Sequence, residues 1–516
     1  MYKIEKKEML RKYLFNYKWS YFFVVFIVLI LFAFKSNNKS ISSSKIIDMK
    51  PDTLRVLKNP AMGWVMYNEG WELYPYYQNN YKHMNVDHFW KDMDAVNASS
   101  VSNILYIRAV WSAFEPQEGK YAWDIDPNFK KLIEGAEKRH LKLAFRVFHQ
   151  SQDQVQQATP EFVFNAGASF KSIKGQAGHQ IFKNPYYDDP VFMAKFNAFV
   201  KAFAAKFDNP EITDFVDAYG AGLWGEGHNV LVKDKSHLGN VIDEITGIYT
   251  KHFKNVLTVF NLSESDWKHA KSYVFDQKQL IPRRDGLGSF WFSEKSRERI
   301  NNYFFPRYPL IAEGCYWLNS KTNDTTNLTY KLDKKYNFNS WKDALTFGME
   351  DALNYHANVY DLRVPLQAKY LIQHAPKSIQ KFITHGGYRL YPNRVGVKKS
   401  KDTLIIDNNW RNLGVGLLPN HHPNWNNKYK LAWGLKNKNT SKVIAVTVDL
   451  KANPGDWVKD SNYCYKTKLN IPKEIKLEDY YLVTGIINGN TKKPEIELAL
   501  SEAPKDNWYK ITDINF

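Results

Sequence analysis

The chain has 516 residues, 44% of them hydrophobic and 24% charged, which is the composition of a globular protein with a sizeable core and room for two domains. The formal net charge of +18 is spread along the chain without a dense basic block. This argues against a nucleic-acid partner and fits an anionic membrane surface, an acidic polysaccharide or only a need for solubility. The two cysteines, Cys315 and Cys464, exclude a disulfide framework and a cysteine metal cluster.

An uncharged apolar run at residues 19–34 follows a basic N-terminal segment. It predicts a signal anchor, with a cytoplasmic tail and a transmembrane helix within residues 1–34. A signal peptide that is cleaved is the alternative, and it would give a secreted protein. The Ser/Asn/Lys-rich residues 35–56 are predicted to be a linker. We therefore expect a single-pass membrane protein whose large C-terminal part faces the periplasm or the cell exterior.

Short apolar runs alternate with amphipathic helical patterns over residues 57–385. The predicted strands are 63–68, 103–111, 142–149, 215–222, 255–261, 286–292, 309–314 and 357–363. Helices are predicted between them, for example at 86–96, 128–140, 189–207 and 340–353. This alternation predicts an α/β fold, a (β/α)8 TIM barrel, and a doubly wound open sheet is the alternative.

The pattern changes over residues 386–516, where short strands are separated by turn residues and no helical period is visible. The predicted strands are 402–410, 428–437, 441–450, 480–488, 495–501 and 508–516. A run of strands of this kind predicts an antiparallel β-sandwich that follows the barrel.

Two glutamates come at strand ends of the predicted barrel. Glu226 lies in the glycine-rich "YGAGLWGEGHN" just after the fourth strand, and Glu313 ends the seventh. The C-terminal ends of barrel strands surround the active site, and cleavage of a glycosidic bond needs two carboxyl groups. Glu226 could instead be an ordinary loop carboxylate, and Glu313 a buried partner of Arg108 or Arg146.

Three further segments, "NPAMGW" (59–64), "WSAFEPQEGKYAWD" (111–124) and "TPEFVFNAG" (159–167), resemble β-galactosidase-like members of family forty-two of the clan A glycoside hydrolases. Together with "WGEGH" and "WRNLGVG" (410–416), they resemble more closely a related bacterial envelope group. The resemblance covers most of residues 59–384. It implies a retaining mechanism with Glu226 as acid/base and Glu313 as nucleophile.

One position departs from this resemblance. Many clan A enzymes have Asn directly before the acid/base, where it contacts the sugar 2-hydroxyl, and this chain has Gly225. Asn229 or Asn261 could supply that contact if the loops permit it.

The other candidates are expected to bind substrate, and each has a plainer structural reading. Arg108 and Arg146 could instead satisfy core polar groups, His149 and His228 could be structural, and Asp285 could form an ion pair with Arg283 or Arg284. Trp291 could be a core indole rather than a sugar platform. The predicted substrate-binding residues are Arg108, Trp111, His149, Trp224, His228, Asn261, Asp285, Trp291, Tyr316 and Trp317.

The sequence thus predicts a membrane-tethered retaining glycoside hydrolase that acts on an envelope or extracellular polysaccharide or oligosaccharide. A non-catalytic carbohydrate-binding or polysaccharide-assembly protein is the alternative. Neither a HExxH nor a HxH spacing occurs, so we predict no metal site and no cofactor. The sequence makes no prediction of the oligomeric state.

Overall fold

The computed structural model describes residues 45–71, 85–151, 157–174, 181–262, 266–315, 338, 340–363 and 365–515. The predicted membrane anchor at residues 19–34 lies outside these ranges. None of the helices within them is long and apolar enough to cross a membrane.

Eight parallel strands close into a barrel, as the sequence predicts. They are β1 Gly63–Asn68, β2 Ser102–Val110, β3 Lys142–Phe148, β4 Thr213–Asp217, β5 Leu257–Asn261, β6 Ile281–Leu287, β7 Leu310–Gly314 and β8 Ala357–Leu362. The eighth strand pairs with the first, with Val359 opposite Gly63. This closure rules out the open sheet.

Helices surround the barrel and bury their apolar faces against it. Among the described residues they lie at Val86–Ala95, Ala98–Val101, Trp111–Phe114, Ala122–Ile125, Pro127–Lys138, Glu161–Asn165, Pro190–Phe207, Leu238–His252, Trp267–His269, Glu294–Arg299, Trp341–Asn354, Pro365–His374 and Pro376–His385. Two π-helical segments, Ala270–Lys278 and Ile300–Phe304, extend two of them. The predicted helices at 86–96, 128–140, 189–207 and 340–353 are confirmed to within two residues at each end.

The helix Pro190–Phe207 shows why these segments are helical. The Asp189 side chain caps it by accepting from the backbone N–H groups of Val191 and Phe192, and a proline occupies the first turn. Its phenylalanines recur at helical spacing and are buried in the core around the barrel.

The sixth strand lies earlier in the chain than the sequence predicts. It is Ile281–Leu287, and the predicted strand at 286–292 was wrong because most of that segment forms the turn that follows. The strand contains three consecutive charged residues, Arg283, Arg284 and Asp285, so its sequence lacks the apolar pattern expected of a buried strand. Arg283 is nevertheless buried, where it forms an ion pair with Glu313 on the neighbouring strand β7.

Two antiparallel sheets are formed mainly by strands that follow the barrel in sequence. One contains Lys45–Asp48, Leu390–Ser400, Thr403–Asn412 and Tyr463–Asn470, and the other contains Tyr429–Asn437, Val443–Val448, Tyr480–Asn488, Pro494–Ile496 and Tyr509–Asp513. The ring centroids of Trp410 and Trp433 are 6.5 Å apart across the two sheets. Lys45–Asp48 was predicted to belong to the linker and instead pairs with Leu390–Ser400, with Ile46 opposite Gly396.

These sheets pack against the N-terminal end of the barrel. The Asn358 side chain, at the start of β8, donates to the Leu417 carbonyl at 2.6 Å. Asn424 donates to the carbonyl of Val256, just before β5, at 2.7 Å. The C-terminal ends of the strands therefore lie at the opposite end of the barrel from these sheets.

Candidate active site

Arg146 is the centre of a cluster of charged side chains inside the barrel. It lies in β3 and has no exposed surface. Its Nε lies 2.6 Å from Asp217 Oδ2, its Nη1 lies 2.7 Å from Glu226 Oε1, and its Nη2 lies 3.6 Å from Glu313 Oε2. One guanidinium therefore joins the two glutamates that the sequence singles out.

Glu313 lies in β7 and is 2% exposed. Besides Arg146, its carboxylate contacts the guanidinium groups of Arg283 in β6 and Arg363 just after β8. Three positive side chains around one carboxylate stabilise its negative charge in a site with little water. The sequence analysis named Arg108 and Arg146 as possible partners of Glu313. Of these two, Arg146 contacts it.

Asp361 holds the end of the strand that carries Glu313. Its Oδ1 accepts from the backbone N–H of Gly314 at 2.7 Å, and its Oδ2 lies 3.9 Å from Arg363 Nη1. Burial raises the pKa of Asp361 to about 7, although the hydrogen bond from Gly314 acts to lower it. This carboxyl group therefore titrates near neutral pH.

Glu226 is 6% exposed and sits in a tight loop after β4. The N–H of Leu223 donates to the His228 carbonyl at 2.7 Å, and the N–H of Gly227 donates to the Ala221 carbonyl at 2.9 Å. Asn261, at the end of β5, donates to the Glu226 carbonyl at 3.2 Å. The loop is thus fixed on both sides of the glutamate.

Gly225 is required by the shape of this loop. Its φ is +72°, and a Cβ added there would lie 2.9 Å from the Cβ of Phe148 and 3.1 Å from the Cδ of Arg146. An asparagine at this position would therefore be strained and would crowd both Phe148 and Arg146. The departure from the clan A pattern follows from how closely the β4 loop approaches β3.

Asn261 and Asn229 were the two residues that could supply the missing contact with the sugar, and both make other contacts in the structure. Asn261 uses both ends of its amide, since Oδ1 accepts from Arg283 Nη1 at 3.1 Å while Nδ2 donates to Glu226. Asn229 is exposed, and its carbonyl accepts from Gln150 Nε2 at 3.2 Å. Asn261 therefore positions the backbone of Glu226.

His228 and Asp285 lie beside Glu226 on the more exposed side of the cluster. Single ligand atoms of these three residues all lie within 4.8 Å of one another, which makes them a set that could hold a divalent cation. Burial acts to raise the pKa of Asp285, but Arg284, 2.5 Å away, and then His228 lower it below its ordinary value. Asp285 therefore forms the ion pair with Arg284 that the sequence analysis gave as the alternative to substrate binding. It also lies next to Glu226 and His228.

Arg108 supports the β4 loop. Its Nε donates to the Trp224 carbonyl at 3.3 Å and its Nη1 lies 3.2 Å from Glu69 Oε1. The Trp224 ring meets the His228 ring edge to face, with centroids 5.9 Å apart. These three predicted residues therefore lie around Glu226.

Trp111 and His149 were wrongly predicted to reach substrate. Both are fully buried, and their rings lie 5.4 Å and 4.5 Å from that of Phe196 in the helix outside the barrel. The indole N–H of Trp111 donates to Glu115, and burial lowers the pKa of His149 to about 3, which leaves it neutral. They belong to the core between barrel and helices.

Trp291 is in the turn after β6 rather than at its end, and it is 42% exposed. Tyr316 and Trp317 lie outside the described residues.

Sequence reasoning missed Asp217, Arg283, Arg363 and Asp361 as members of the cluster. A charged residue in or just after an otherwise apolar barrel strand was the available signal for Asp217, Asp361 and Arg363. The strand of Arg283 has three consecutive charged residues and gave no such signal.

The sequence matches no protein-family model and no curated protein. Among solved structures, the endo-glycoceramidase II lactosyl-enzyme intermediate from Rhodococcus sp. is 10% identical with a TM-score of 0.39, over 82% of this chain and 100% of that one. The exo-beta-1,4-mannosidase Op5Man5 from Opitutaceae bacterium strain TAV5 is 12% identical with a TM-score of 0.38, over 65% of this chain and 61% of that one. Matches this distant assign no residue role to this chain.

Proposed function

We propose that this protein is a retaining glycoside hydrolase in which Glu226 is the acid/base and Glu313 is the nucleophile. The observation that supports it best is that one buried guanidinium, that of Arg146, contacts both carboxylates at the C-terminal end of the barrel. Barrel enzymes carry their chemistry at this end. A pair of carboxyl groups facing one cleft is what glycoside cleavage requires.

The surroundings of the two carboxylates fit different roles. Glu313, among three guanidinium groups, keeps its charge and attacks the anomeric carbon, while Glu226 donates its proton to the leaving oxygen. Glu226 shares the Arg146 guanidinium with Asp217. Once Glu226 has given up its proton and Glu313 carries the sugar as an ester, Glu226 accepts a proton from the incoming water, and the water oxygen displaces the Glu313 carboxylate from the anomeric carbon.

The test uses the full-length protein in detergent with a panel of oligosaccharides and p-nitrophenyl glycosides. Wild type should release reducing ends, and proton NMR of the first product should show the anomer of the substrate. Glu313→Gln should abolish turnover with an unchanged melting temperature, whereas Glu118→Gln, at a largely exposed glutamate, should not. Undiminished turnover by Glu313→Gln would contradict its role as nucleophile.

Glu226 has a separate signature. Glu226→Ala should still be glycosylated by aryl glycosides with good leaving groups, which need little acid assistance, but should then stall. Intact-protein mass spectrometry should show the added sugar on Glu226→Ala and none on the double variant with Glu313→Gln. A free protein mass in both would contradict the assignment.

A non-catalytic carbohydrate-binding or polysaccharide-assembly protein is the second candidate. Gly225 favours it, because many clan A enzymes have an asparagine there that contacts the sugar. Oligosaccharide binding measured by calorimetry without release of reducing ends would establish this alternative.

The membrane tether and the envelope substrate complete the proposal. The uncharged residues 19–34 and the following Ser/Asn/Lys-rich stretch support an uncleaved anchor. The segments that resemble the family forty-two-like envelope group support the substrate. Carbonate-resistant membrane association and an intact N-terminus by peptide sequencing are expected, and a processed N-terminus would contradict the anchor.

A further inference from the structure

One side of the sheet that contains Lys45–Asp48 carries a group of basic side chains. Along its strand Thr403–Asn412 the even-numbered residues are buried and the odd-numbered ones are more exposed, so one side packs inward and the other faces solvent. Residues directly opposite each other on neighbouring antiparallel strands share a side. Lys398 and Lys468 lie opposite Ile405 from its two neighbouring strands, and Lys466 lies opposite Asp407. The positive residues on the solvent side, which we call the basic face, are Arg394, Lys398, Arg411, Lys466 and Lys468.

Positive charge on this side exceeds negative charge. The four strands of the sheet contain seven lysines and arginines but two acidic residues, Asp48 and Asp407. Arg394 Nε lies 3.7 Å from Asp48 Oδ1 and Lys466 Nζ lies 3.3 Å from Asp407 Oδ1, with the two basic side chains 58% and 62% exposed. Such exposed pairs are weak. The basic face therefore remains available to a larger anionic partner.

The other antiparallel sheet does not share this excess. Its five strands contain three lysines and two acidic residues, Glu495 and Asp513. Lys436 pairs with Asp506 at 2.7 Å and Lys510 pairs with Asp513 at 3.0 Å. The basic face is thus a feature of one sheet and not of the whole region after the barrel.

The same sheet is the part of the described chain that follows the predicted membrane anchor. Its edge strand Lys45–Asp48 pairs with Leu390–Ser400, and residues 35–44 separate it from the apolar run at 19–34. Ten residues span at most about 35 Å. An anchor at 19–34 would therefore keep the sheet within that distance of the bilayer, so a weak attraction is enough to bring it into contact.

We propose that the basic face docks on the anionic lipid headgroups of the bilayer in which the chain is anchored. One basic residue beside an anionic bilayer strengthens binding about fivefold, and the attraction acts within about 8 Å at physiological salt. The basic face presents five such residues on one side of one sheet. The docking is independent of the proposed hydrolysis, and only the step on proximity rests on the proposed anchor.

The test uses the full-length protein in lipid nanodiscs and a fluorophore on Cys464. This cysteine is exposed and lies opposite Asn409 on the solvent side of the sheet, whereas Cys315 is buried. Quenchers on the lipid headgroups should quench the fluorophore strongly in discs that contain phosphatidylglycerol and weakly in phosphatidylcholine discs. The difference should disappear in about 1 M salt, where the screening length falls to about 3 Å.

The double variant Lys466→Glu with Lys468→Glu should lower the ratio of docked to undocked protein about 25-fold or more, because two attractive side chains are lost. Quenching in phosphatidylglycerol discs should then fall to the level in phosphatidylcholine discs. The control is Lys131→Glu with Lys271→Glu, which changes the net charge equally at two exposed lysines outside both sheets. It should leave quenching unchanged.

Acetylation of lysines in the unlabelled protein, followed by mass spectrometry, provides a readout without the fluorophore. Lys466 and Lys468 should react more slowly in phosphatidylglycerol discs than in phosphatidylcholine discs, and Lys131 should react equally in both. Equal quenching and equal acetylation in the two kinds of disc would overturn the docking. Protection by a soluble polyuronate, with no effect of phosphatidylglycerol, would overturn it as well and assign the basic face to an acidic polysaccharide.

Two further outcomes separate this inference from the proposed function. Retention of the protein by phosphatidylglycerol discs but not by phosphatidylcholine discs would contradict the anchor and still support the basic face. Reducing-end release is measured separately, so docking without hydrolysis would contradict the proposed glycoside hydrolase and leave the docking in place.

Discussion

Arg146 Nη1 lies 2.7 Å from Glu226 Oε1, and the arginine side chain has no solvent exposure. A buried charge is tolerated only when its partners compensate for the water it has lost. Here the partners come from β4, from the loop that follows it and from β7. The geometry of the proposed catalytic pair and the stability of the barrel interior therefore depend on the same side chain.

Replacement of Arg146 by lysine should lower activity far more than it lowers expression. Lysine keeps the charge but offers a point donor where the guanidinium fork reaches three carboxylates at once. We expect kcat/KM for the best panel substrate to fall by about 100-fold or more, the size expected when catalytic groups are misplaced by about 1 Å. Arg139→Lys, at a surface pair with Asp94, should change kcat/KM little, and equal activities of the two variants would contradict this prediction.

Two glycines with the same backbone angle provide a matched test of the β4 loop. Gly225 and Gly119 both have φ of +72°, but a Cβ at Gly119 would meet nothing within 4 Å. Gly119→Ala should cost about 1 kcal/mol of unfolding free energy from the backbone alone. Gly225→Ala should cost more and also reduce turnover, because the added methyl displaces Arg146 or Phe148. Similar melting temperatures and activities for both variants would show that the loop accommodates a side chain.

The pairing of Glu226 with Glu313 could be predicted because parallel barrel strands bring their C-terminal ends together. That argument uses strand order and strand ends only. It fails for Trp111 and His149, because a shift of one residue at a strand end turns a side chain from the cleft to the helices. Both residues lie directly after their strands. There the alternation of inward and outward side chains along a strand no longer tells which way a side chain points.

Strands rich in polar residues were the harder part of the fold to predict. β6 was misplaced because Arg283 and Arg284 make a buried strand look polar. Arg283 pairs with Glu313, which is distant in sequence, and Arg284 pairs with its neighbour Asp285. Tyr463–Asn470 was not predicted, although it pairs along its whole length with Thr403–Asn412. It carries lysines on an exposed face, and pairing with a neighbour, rather than its own composition, makes it a strand.

The raised pKa of Asp361 predicts how stability depends on pH. The unfolded chain ionises this group near its ordinary value of 3.8, whereas the folded protein holds the proton up to about pH 7 because of burial. Stability from this group is therefore full below pH 4 and is lost as the pH rises to 7, by roughly 1.4 kcal/mol per pKa unit. Asp361→Asn mimics the protonated form and keeps an acceptor for Gly314.

We therefore expect the melting temperature of Asp361→Asn to rise relative to wild type as the pH increases from 4 to 8. Asp285→Asn is the matched control of opposite sign. The pKa of Asp285 is lowered in the fold, so its ionised form contributes stability above pH 4 and the variant should gain nothing over that range. Parallel melting curves of Asp361→Asn and wild type across this pH range would contradict the assignment.

A substitution at Asn358 should lower the stability of the protein without lowering its catalytic activity, because Asn358 lies at the end of the barrel away from the proposed active site. Its fully buried amide donates to the carbonyls of Ala61 and Leu417, at 2.9 and 2.6 Å, and accepts from the Leu417 N–H at 2.8 Å. Asn358→Leu preserves the volume but leaves these groups buried without partners, at about 1–3 kcal/mol each.

The melting temperature of Asn358→Leu should therefore fall by several degrees, while Asn462→Leu, at an exposed asparagine, should leave it almost unchanged. The Asn358 contacts lie at the end of the barrel opposite Glu226 and Glu313, so kcat at a temperature well below melting should stay near the wild-type value. Loss of kcat without loss of melting temperature would show that this junction acts on the catalytic cluster and not only on stability.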